Sequence, residues 1–221
     1  MLPVVVKNLL IINVLAYLLY FTLTRFGIDL NDLLGLHFFK ASGFRPYQLL
    51  TYMFMHANFA HIFFNMFALW MFGNVLENIW GPKRFLIFYL VCGVGAGLTQ
   101  ELVQYIQYTT QLAQYDNVNL GGTVVSMDYY LNMMTTVGAS GAVYGILLAF
   151  GMMFPDSLIY VYFAIPIKAK WFVILYAVIE LVSGLAGSAD NVAHFAHLGG
   201  MLFGLILILL WRKQQKNYNN Y

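Results

Sequence analysis

Long runs of apolar residues constrain this sequence more than any other feature. A helix needs about 20 apolar residues to cross a bilayer, and six runs approach or exceed that length. They lie at residues 5–24, 53–79, 85–106, 137–154, 167–186 and 194–211. Only 9% of the residues are charged, against about 25% in a soluble domain. We therefore predict an all-α integral membrane protein, a six-helix transmembrane bundle in which residues 1–221 form a single domain.

The first and fourth runs need separate comment. The first resembles a signal peptide, but it has no small-x-small cleavage site and further apolar runs follow, so we predict an uncleaved first helix. The fourth run is the shortest and ends at Pro155 and Asp156. At 1.5 Å per residue it reaches only about 27 Å, so we expect one end to be recessed and accessible to water.

The distribution of lysine and arginine predicts the orientation, because these residues accumulate on the cytoplasmic side. Six spans place both termini on one side. With cytoplasmic termini, eight of the 11 Lys and Arg residues lie inside and three, Arg25, Lys40 and Arg45, lie outside. Of the two long outer loops, 25–52 is rich in aromatic residues and leucine and suits a membrane-associated segment. The loop 107–136 is polar and contains turn signals. The net charge of +2 gives no indication of nucleic-acid binding.

Polar side chains inside the predicted spans are candidates for function, because burying them in lipid is costly. They are His56, His61 and Asn65 in the second run, Ser140 in the fourth, Glu180 in the fifth, and His194 and His197 in the sixth. Each alone has a structural explanation: such side chains join helices, and G-x-x-x-G spacing marks close packing. Together they supply a hydroxyl, a base and donors for an oxyanion, which are the requirements of nucleophilic catalysis.

The glycines around Ser140 fit this interpretation. Gly138 and Gly141 clear space on both sides of the serine, so that another backbone can approach. The pairs Gly141/Gly145 and Gly200/Gly204 would let the fourth and sixth helices touch. Ser140 also lies near the start of its helix, where free N–H groups and the positive end of the helix dipole favour a developing negative charge.

Three motifs on three predicted helices carry a family resemblance. "GASG" followed by Tyr144 matches G-x-S-G-x-x-Y, "HIFFN" matches H-x-x-x-N, and "AHLGGMLFG" matches A-H-x-x-G-x-x-x-G. These are the motifs of the rhomboid intramembrane serine proteases, and "GNVLENIWGP" resembles the end of that family's second helix. The motif order and the six-span plan resemble the compact bacterial members over nearly the whole chain. In place of the family's frequent Trp-Arg pair, the first outer loop has Tyr47 and Gln48.

The resemblance implies a role for each residue of the motifs. It implies an endopeptidase that cleaves the transmembrane segments of single-span membrane proteins through an acyl-enzyme, without metal or cofactor, in the bacterial inner membrane. Ser140 would be the nucleophile and His197 the base of a two-residue arrangement, with Tyr144 stacked on the histidine ring. The oxyanion would be bound by His61, Asn65 and the N–H groups of Ala139 and Ser140, with Gly138, Gly141 and Gly200 in supporting positions.

Several neighbouring residues leave alternatives open. His194 lies one turn before His197 and is the alternative base, although the glycines at +3 and +7 favour His197. Glu180 is either a third catalytic member or an interior carboxyl that is hydrated or hydrogen-bonded, and the second is the expectation. Glu77 and His56 are predicted to be structural.

Other classes of membrane protein fit less well. A metalloprotease would require a pattern such as H-E-x-x-H, which neither "HANFAH" nor "HFAHL" contains. An aspartyl protease would require two aspartates in spans, and Asp116 lies in a polar loop. A transporter or channel would require polar groups leading from both faces. The remaining alternative is a catalytically silent relative that binds or escorts membrane proteins.

Substrate access is a separate prediction. A membrane-spanning substrate would enter between the second and fifth helices, with Phe64 packed as a plug near Leu175 and Ile179. The segment "SGLAGSADN" after the fifth helix would act as a lid, because glycines weaken it and small polar residues follow.

Overall fold

A computed structural model describes residues 2–161, 164–186 and 193–218, the side chains of the last segment to Gln214. The fold is mostly helical, as predicted. Five helical segments are long and apolar enough to cross a membrane: Val4–Thr24, Phe59–Trp80, Pro82–Leu112, Ala169–Ala186 and His194–Gln214. The sixth apolar helix, Ser140–Met153, has 14 residues. It therefore reaches only about 21 Å and is shorter still than the short fourth span that the sequence predicts.

The described elements follow one another along the chain as ten helices and four strands. The helices are α1 (Val4–Thr24), α2 (Leu30–Leu34), α3 (Gln48–Thr51), α4 (Phe59–Ala68), α5 (Asn74–Trp80), α6 (Pro82–Gln107), α7 (Met127–Met133), α8 (Ser140–Met153), α9 (Ala169–Ala186) and α10 (His194–Tyr218). The strands are β1 (Asn117–Leu120), β2 (Thr123–Ser126), β3 (Leu158–Val161) and β4 (Ile165–Lys168). A π-helical turn over Leu69–Gly73 joins α4 to α5, and another over Tyr108–Leu112 extends α6.

The strands correct the all-α prediction. They form two antiparallel hairpins, β1–β2 between α6 and α7 and β3–β4 between α8 and α9. The turn of the first hairpin has Gly121 at φ +61° and Gly122 at φ +105°, the backbone that a two-residue turn requires. Asn119 Oδ1 also accepts a hydrogen bond from Gly122 N at 2.7 Å. The turn predicted within "DNVNLGG" is present at Gly121 and Gly122, but the four residues before it, Asn117–Leu120, form strand β1 instead of a turn.

The second spanning segment begins later than the sequence predicts. Residues 52–54 form a single 3₁₀ turn, and α4 begins only at Phe59. The cause is the side chain of Asn58, which accepts a hydrogen bond from His61 N at 2.9 Å and so caps the helix. His56 consequently lies before the helix rather than within a span.

Glycines bring α8 and α10 into backbone contact, as their spacing predicts. A Cβ atom on Gly200 would overlap the carbonyl oxygen of Gly141, and one on Gly145 would lie 3.1 Å from the carbonyl oxygen of Gly200. The buried Cys92 on α6 fills the space beside Gly145 and Gly204, and its Sγ would lie 3.1 Å from a Cβ placed on Gly204. The two helices that carry Ser140 and His197 are thus as close as their backbones allow.

Glu77 has the structural role that the sequence predicts. Its two carboxylate oxygens accept hydrogen bonds from Val5 N at 2.9 Å and Val6 N at 2.7 Å. These N–H groups lie in the first turn of α1, where N–H groups have no partner within their own helix and the helix end is positively polarised. The end of α5 is therefore fixed to the beginning of α1.

The loop between α1 and α4 is packed against the helical bundle. Gln48 is buried and bonds only to backbone: its Oε1 accepts from His37 N at 3.3 Å and Arg45 N at 3.0 Å, and its Nε2 donates to the carbonyl oxygens of Leu33 and Gly43. Glu101 on α6 accepts from Phe39 N at 2.8 Å. Gln48, which departs from the family pattern, therefore organises this loop. The location of this loop at the membrane surface stays a prediction.

We expect Gly200→Ala to destabilise the protein more than Gly204→Ala. The new methyl at position 200 meets backbone, which cannot yield, whereas the closest atoms at position 204 are the side-chain tips of Cys92 and Phe88, both at 3.1 Å. Overpacking typically costs about 1–3 kcal/mol, and Gly200→Ala should reach or exceed the upper end. Thermal unfolding of the purified protein measures both variants. Equal unfolding midpoints would show that the backbone contact does not limit the packing.

Candidate active site

Ser140 is the first residue of α8, and the segment before it is held on both sides. Thr136 exchanges two backbone hydrogen bonds with Leu36 at 2.8 and 2.9 Å, and Gly138 N donates to the carbonyl oxygen of Tyr52 at 2.9 Å. Gly138 has φ +129°, a conformation that side chains disfavour. The loop between α1 and α4 therefore fixes where α8 begins and where its serine lies.

Ser140 and His197 are in direct contact. His197 lies in the first turn of α10, and its Nε2 is 2.8 Å from the Ser140 Oγ. The histidine side chain is buried, with 8% of the residue exposed. A hydroxyl at this distance from an imidazole nitrogen can transfer its proton to the ring and become a nucleophile.

Tyr144 stacks on the His197 ring. The ring centroids are 4.2 Å apart and the planes differ by 6°. Tyr144 follows Ser140 by one helical turn, so both side chains lie on the same face of α8. The stacking limits rotation of the imidazole and keeps its Nε2 directed at the serine.

Glu180 of α9 lies behind the histidine. Its Oε1 is 3.0 Å from His197 Nδ1 and accepts a hydrogen bond from the Tyr144 hydroxyl, while its Oε2 is 2.6 Å from His194 Nδ1. The contact with His197 has ion-pair distance but not the direction of a hydrogen bond. The sequence-based expectation of a hydrogen-bonded interior carboxyl agrees with these contacts. His194, the alternative base, contacts this carboxylate, and His197 contacts the serine.

His61 and Asn65 lie on α4, and His61 approaches the segment that carries Ser140. A Cβ on Gly138 would be 2.6 Å from His61 Nε2 and 3.5 Å from Ser140 Oγ, so both groups border the same small space. His61 Nδ1 accepts from Ala57 N at 3.4 Å, which leaves Nε2 protonated in the neutral ring and able to donate. Gly138 therefore makes room for a side chain, whereas the sequence interpretation expected an approaching backbone.

Asn65 is buried, and its Nδ2 donates to the carbonyl oxygen of His61 at 2.9 Å. An amide nitrogen carries two hydrogens, so one donor remains. The first N–H groups of a helix also have no partner within it, which applies at the start of α8 to Ala139 and Ser140. Side-chain donors on α4 and backbone donors at the start of α8 are thus available near Ser140.

His56 packs edge-on against His61, with ring centroids 5.0 Å apart. It is almost completely buried, and neither ring nitrogen has a hydrogen-bond partner among the described residues. Burial, and to a smaller extent the neighbouring His61, lowers the pKa of His56 to about 3. The ring is therefore neutral at physiological pH and serves as a packing support for His61, in line with the structural role that the sequence predicts.

Phe64 does not form the predicted plug in this conformation. Its side chain is 66% exposed, and Leu175 and Ile179 on α9 are 48% and 47% exposed. All three side chains are therefore largely uncovered by the rest of the protein. Of the predicted lid, residues 187–191 lie outside the described residues.

One contribution to the site was missed in the sequence, and the contacts of a second, Glu180, were not predicted. The carbonyl oxygen of Tyr52 holds Gly138, and the carboxylate of Glu180 connects Tyr144, His194 and His197. A backbone acceptor leaves no signal in the residue type. Glu180 does leave one, since it is the only carboxylate in its apolar run. Within the described part of the chain, no group of three or more His, Cys, Asp or Glu side chains is arranged to hold a metal ion.

Comparisons with known proteins give one consistent family. The family model of the rhomboid domain matches residues 43–214. Rhomboid-like protein 11, chloroplastic, of Arabidopsis thaliana is 31% identical over 86% of this chain and 64% of its own length. The rhomboid protease GluP of Bacillus subtilis is 28% identical over 83% of this chain and 28% of its own length. The rhomboid protease AarA of Providencia stuartii is 26% identical over 72% of this chain and 53% of its own length.

The chain is thus similar to part of the length of these relatives. It spans 64%, 59% and 38% of the length of the first three curated relatives that it matches. The matched region of the family model contains α4 to α10 up to residue 214, and so includes every side chain of the site described above.

We expect Gly138→Ala to displace His61 and to strain the segment before α8. The added Cβ would lie 2.6 Å from His61 Nε2, and the backbone has φ +129°. Because both effects fall next to Ser140, labelling of the serine by a fluorophosphonate should slow at least about 10-fold. Gly121→Ala is a matched control, since it also has positive φ but no neighbour within 4 Å. Equal labelling rates in the two variants would contradict the proposed closeness of His61 and Ser140.

Proposed function

This chain belongs to the rhomboid family, and we propose that it is an intramembrane serine endopeptidase that cleaves transmembrane segments of single-span membrane proteins. The observation that carries the proposal is the 2.8 Å contact between Ser140 Oγ and His197 Nε2 at the beginning of an apolar helix. Two of the similar proteins are named rhomboid proteases. A silent relative would have no need of a serine and a histidine held at this distance.

In the first chemical step, His197 Nε2 takes the proton of Ser140 as Oγ attacks the carbonyl carbon of the scissile peptide bond. The carbonyl oxygen becomes negatively charged. His61 Nε2–H, Asn65 Nδ2–H and the N–H groups of Ala139 and Ser140 are the donors for this charge. The position of His61 Nε2 beside the space that Ser140 Oγ also borders supports the assignment, because an oxyanion donor has to lie close to the attacking oxygen.

In the second step, the C–N bond breaks and the proton on His197 passes to the leaving amine, which leaves the substrate acyl group on Ser140. A water molecule then gives a proton to His197 and attacks the ester, and collapse of the second tetrahedral intermediate returns the proton to Ser140. The imidazole must keep its orientation throughout both halves. The stacked Tyr144 ring provides this constraint.

The substrate must present an exposed carbonyl group. A helix keeps its carbonyls in internal hydrogen bonds, so the segment to be cut has to unwind locally, and the family resemblance suggests a small residue before the cut. The proposal includes six spans, with the short α8 as the fourth, both termini in the cytoplasm and a bacterial inner membrane. The 14-residue length of α8 supports a recessed serine that water can reach from one side.

Ser140→Ala and His197→Ala should each abolish cleavage of a single-span substrate in detergent, because neither the nucleophile nor the base has a substitute. Thermal unfolding should remain close to that of the unsubstituted protein. A fluorophosphonate should label the unsubstituted chain and not Ser140→Ala. Cleavage that survives Ser140→Ala would contradict the assignment of Ser140 as the nucleophile. A wild-type protein that is folded but not labelled would favour the binding or escort function.

Asn65→Ala and His61→Ala should reduce turnover and leave substrate binding nearly unchanged. Loss of one oxyanion donor typically lowers kcat roughly 10²- to 10³-fold, and the remaining backbone donors should keep the loss from Asn65→Ala near or below the lower end. Steady-state kinetics separate the two parameters. A variant that raises only KM would indicate ground-state binding instead.

A further inference from the structure

We propose that Glu180 is a third member of the catalytic arrangement, a positioning residue that holds His197 and stabilises its positive charge during the reaction. The inference rests on the proposed peptidase function. It goes beyond the two-residue arrangement that the motifs imply, because no motif of the resemblance contains a carboxylate at this position.

Three groups from two helices converge on this one carboxylate. Oε1 accepts from the Tyr144 hydroxyl and lies 3.0 Å from His197 Nδ1, while Oε2 lies 2.6 Å from His194 Nδ1. Glu180 itself is only 6% exposed. A buried carboxylate is stable only when it is well paired. Its partners here are His197, which contacts Ser140, and the two residues beside that histidine, Tyr144 and His194.

The carboxylate is on the side of the imidazole where a third member has to be. His197 presents Nε2 to Ser140 and Nδ1 to Glu180. A negative charge beside Nδ1 favours the tautomer that is protonated there, which leaves Nε2 free to accept the serine proton. Without that bias, a fraction of the neutral rings would carry the proton on Nε2 and could not act as base.

The charge also acts after the proton has moved. When His197 takes the proton of Ser140, the ring becomes an imidazolium with a carboxylate oxygen 3.0 Å away. The interaction is between charges, so it does not depend on the direction of the N–H bond, and it is strong in a medium of low dielectric constant. It is larger for the charged ring than for the neutral ring, and therefore lowers the barrier to proton transfer.

Tyr144 couples the two supports of the histidine. Its ring stacks on the imidazole, and its hydroxyl donates to the same Glu180 oxygen that faces Nδ1. The carboxylate is therefore held by the residue that also holds the ring. A rotation of His197 would have to break the stacking and the charge contact together.

The alternative is that Glu180 only joins α8, α9 and α10. That alternative predicts a loss of stability with no change in turnover for each folded molecule. Glu101 provides a matched control, because it is also a buried carboxylate in an apolar helix, 7% exposed, and accepts from Phe39 N in the loop between α1 and α4. The Glu101→Gln substitution keeps a side-chain oxygen that can accept from Phe39 N, and it does not alter the contacts of Glu180.

The experiment compares Glu180→Gln, Glu180→Asp and Glu101→Gln in detergent with a single-span substrate. Active enzyme is counted by fluorophosphonate labelling taken to completion, and the midpoint of thermal unfolding is measured in parallel. Glu180→Gln should lower kcat about 10- to 100-fold, the range expected for loss of a charge contact at this distance. KM should stay within about twofold, Glu180→Asp should recover part of the loss, and Glu101→Gln should leave kcat unchanged.

Each outcome decides a different point. Wild-type kcat in labelled Glu180→Gln, with or without a lower unfolding midpoint, overturns the inference and leaves the peptidase function intact. If Glu180→Gln does not fold, Glu180→Asp decides: its shorter side chain withdraws the charge, so kcat should fall several-fold at unchanged KM, and a wild-type kcat overturns the inference. Failure of the unsubstituted protein to cleave or to be labelled would instead contradict the proposed function.

Discussion

The backbone contact between α8 and α10 sets the positions of Ser140 and His197 relative to each other. Gly200 has no room for a Cβ against the carbonyl oxygen of Gly141, so the two helices cannot approach more closely or slide without a clash. One residue before Gly141 is Ser140, and one turn before Gly200 is His197. The 2.8 Å distance between their side chains is therefore a consequence of helix packing, and small side chains at this crossing are required before any chemistry can occur.

The three buried glutamates of the bundle each accept from, or pair with, specific groups of the protein. Glu77 accepts from two N–H groups of α1, Glu101 accepts from the loop between α1 and α4, and Glu180 lies among Tyr144, His194 and His197. The first two stabilise backbone that would otherwise be unpaired, which is the usual function of a buried acceptor. Glu180 differs because its partners are side chains, two of which touch each other by stacking. That difference separates a structural carboxylate from one placed beside a reactive ring.

The sequence predicted the parts of the fold that depend on periodicity and on residue size. The apolar runs located the helices, and the glycine spacing located the contact between α8 and α10. It failed where a single side chain decides the start of a helix and where short strands pair across a turn. Asn58 delays the start of α4 by capping it, and the residues flanking Gly121 and Gly122 pair as strands. The position of Glu180 on the far side of His197 depends on how α9 packs against two other helices, and one sequence contains no information about that packing. Gln48 replaces the expected family residue yet still organises its loop through four backbone contacts.

The location of the site within an apolar bundle explains why a counter-charge would be useful there. In the proposed mechanism, proton transfer from Ser140 to His197 creates an imidazolium, and removing such an ion from water costs several kcal/mol unless a partner is present. Water near Ser140 could supply part of this stabilisation, but water would also compete for the oxyanion donors and would have to reorganise during the reaction. A fixed carboxylate 3.0 Å from Nδ1 needs no reorganisation. On this reasoning, the Glu180 carboxylate stabilises the charged histidine inside the bundle, as water does for a histidine at a protein surface. The Tyr144 ring and the glycine contact between α8 and α10 hold the histidine in place.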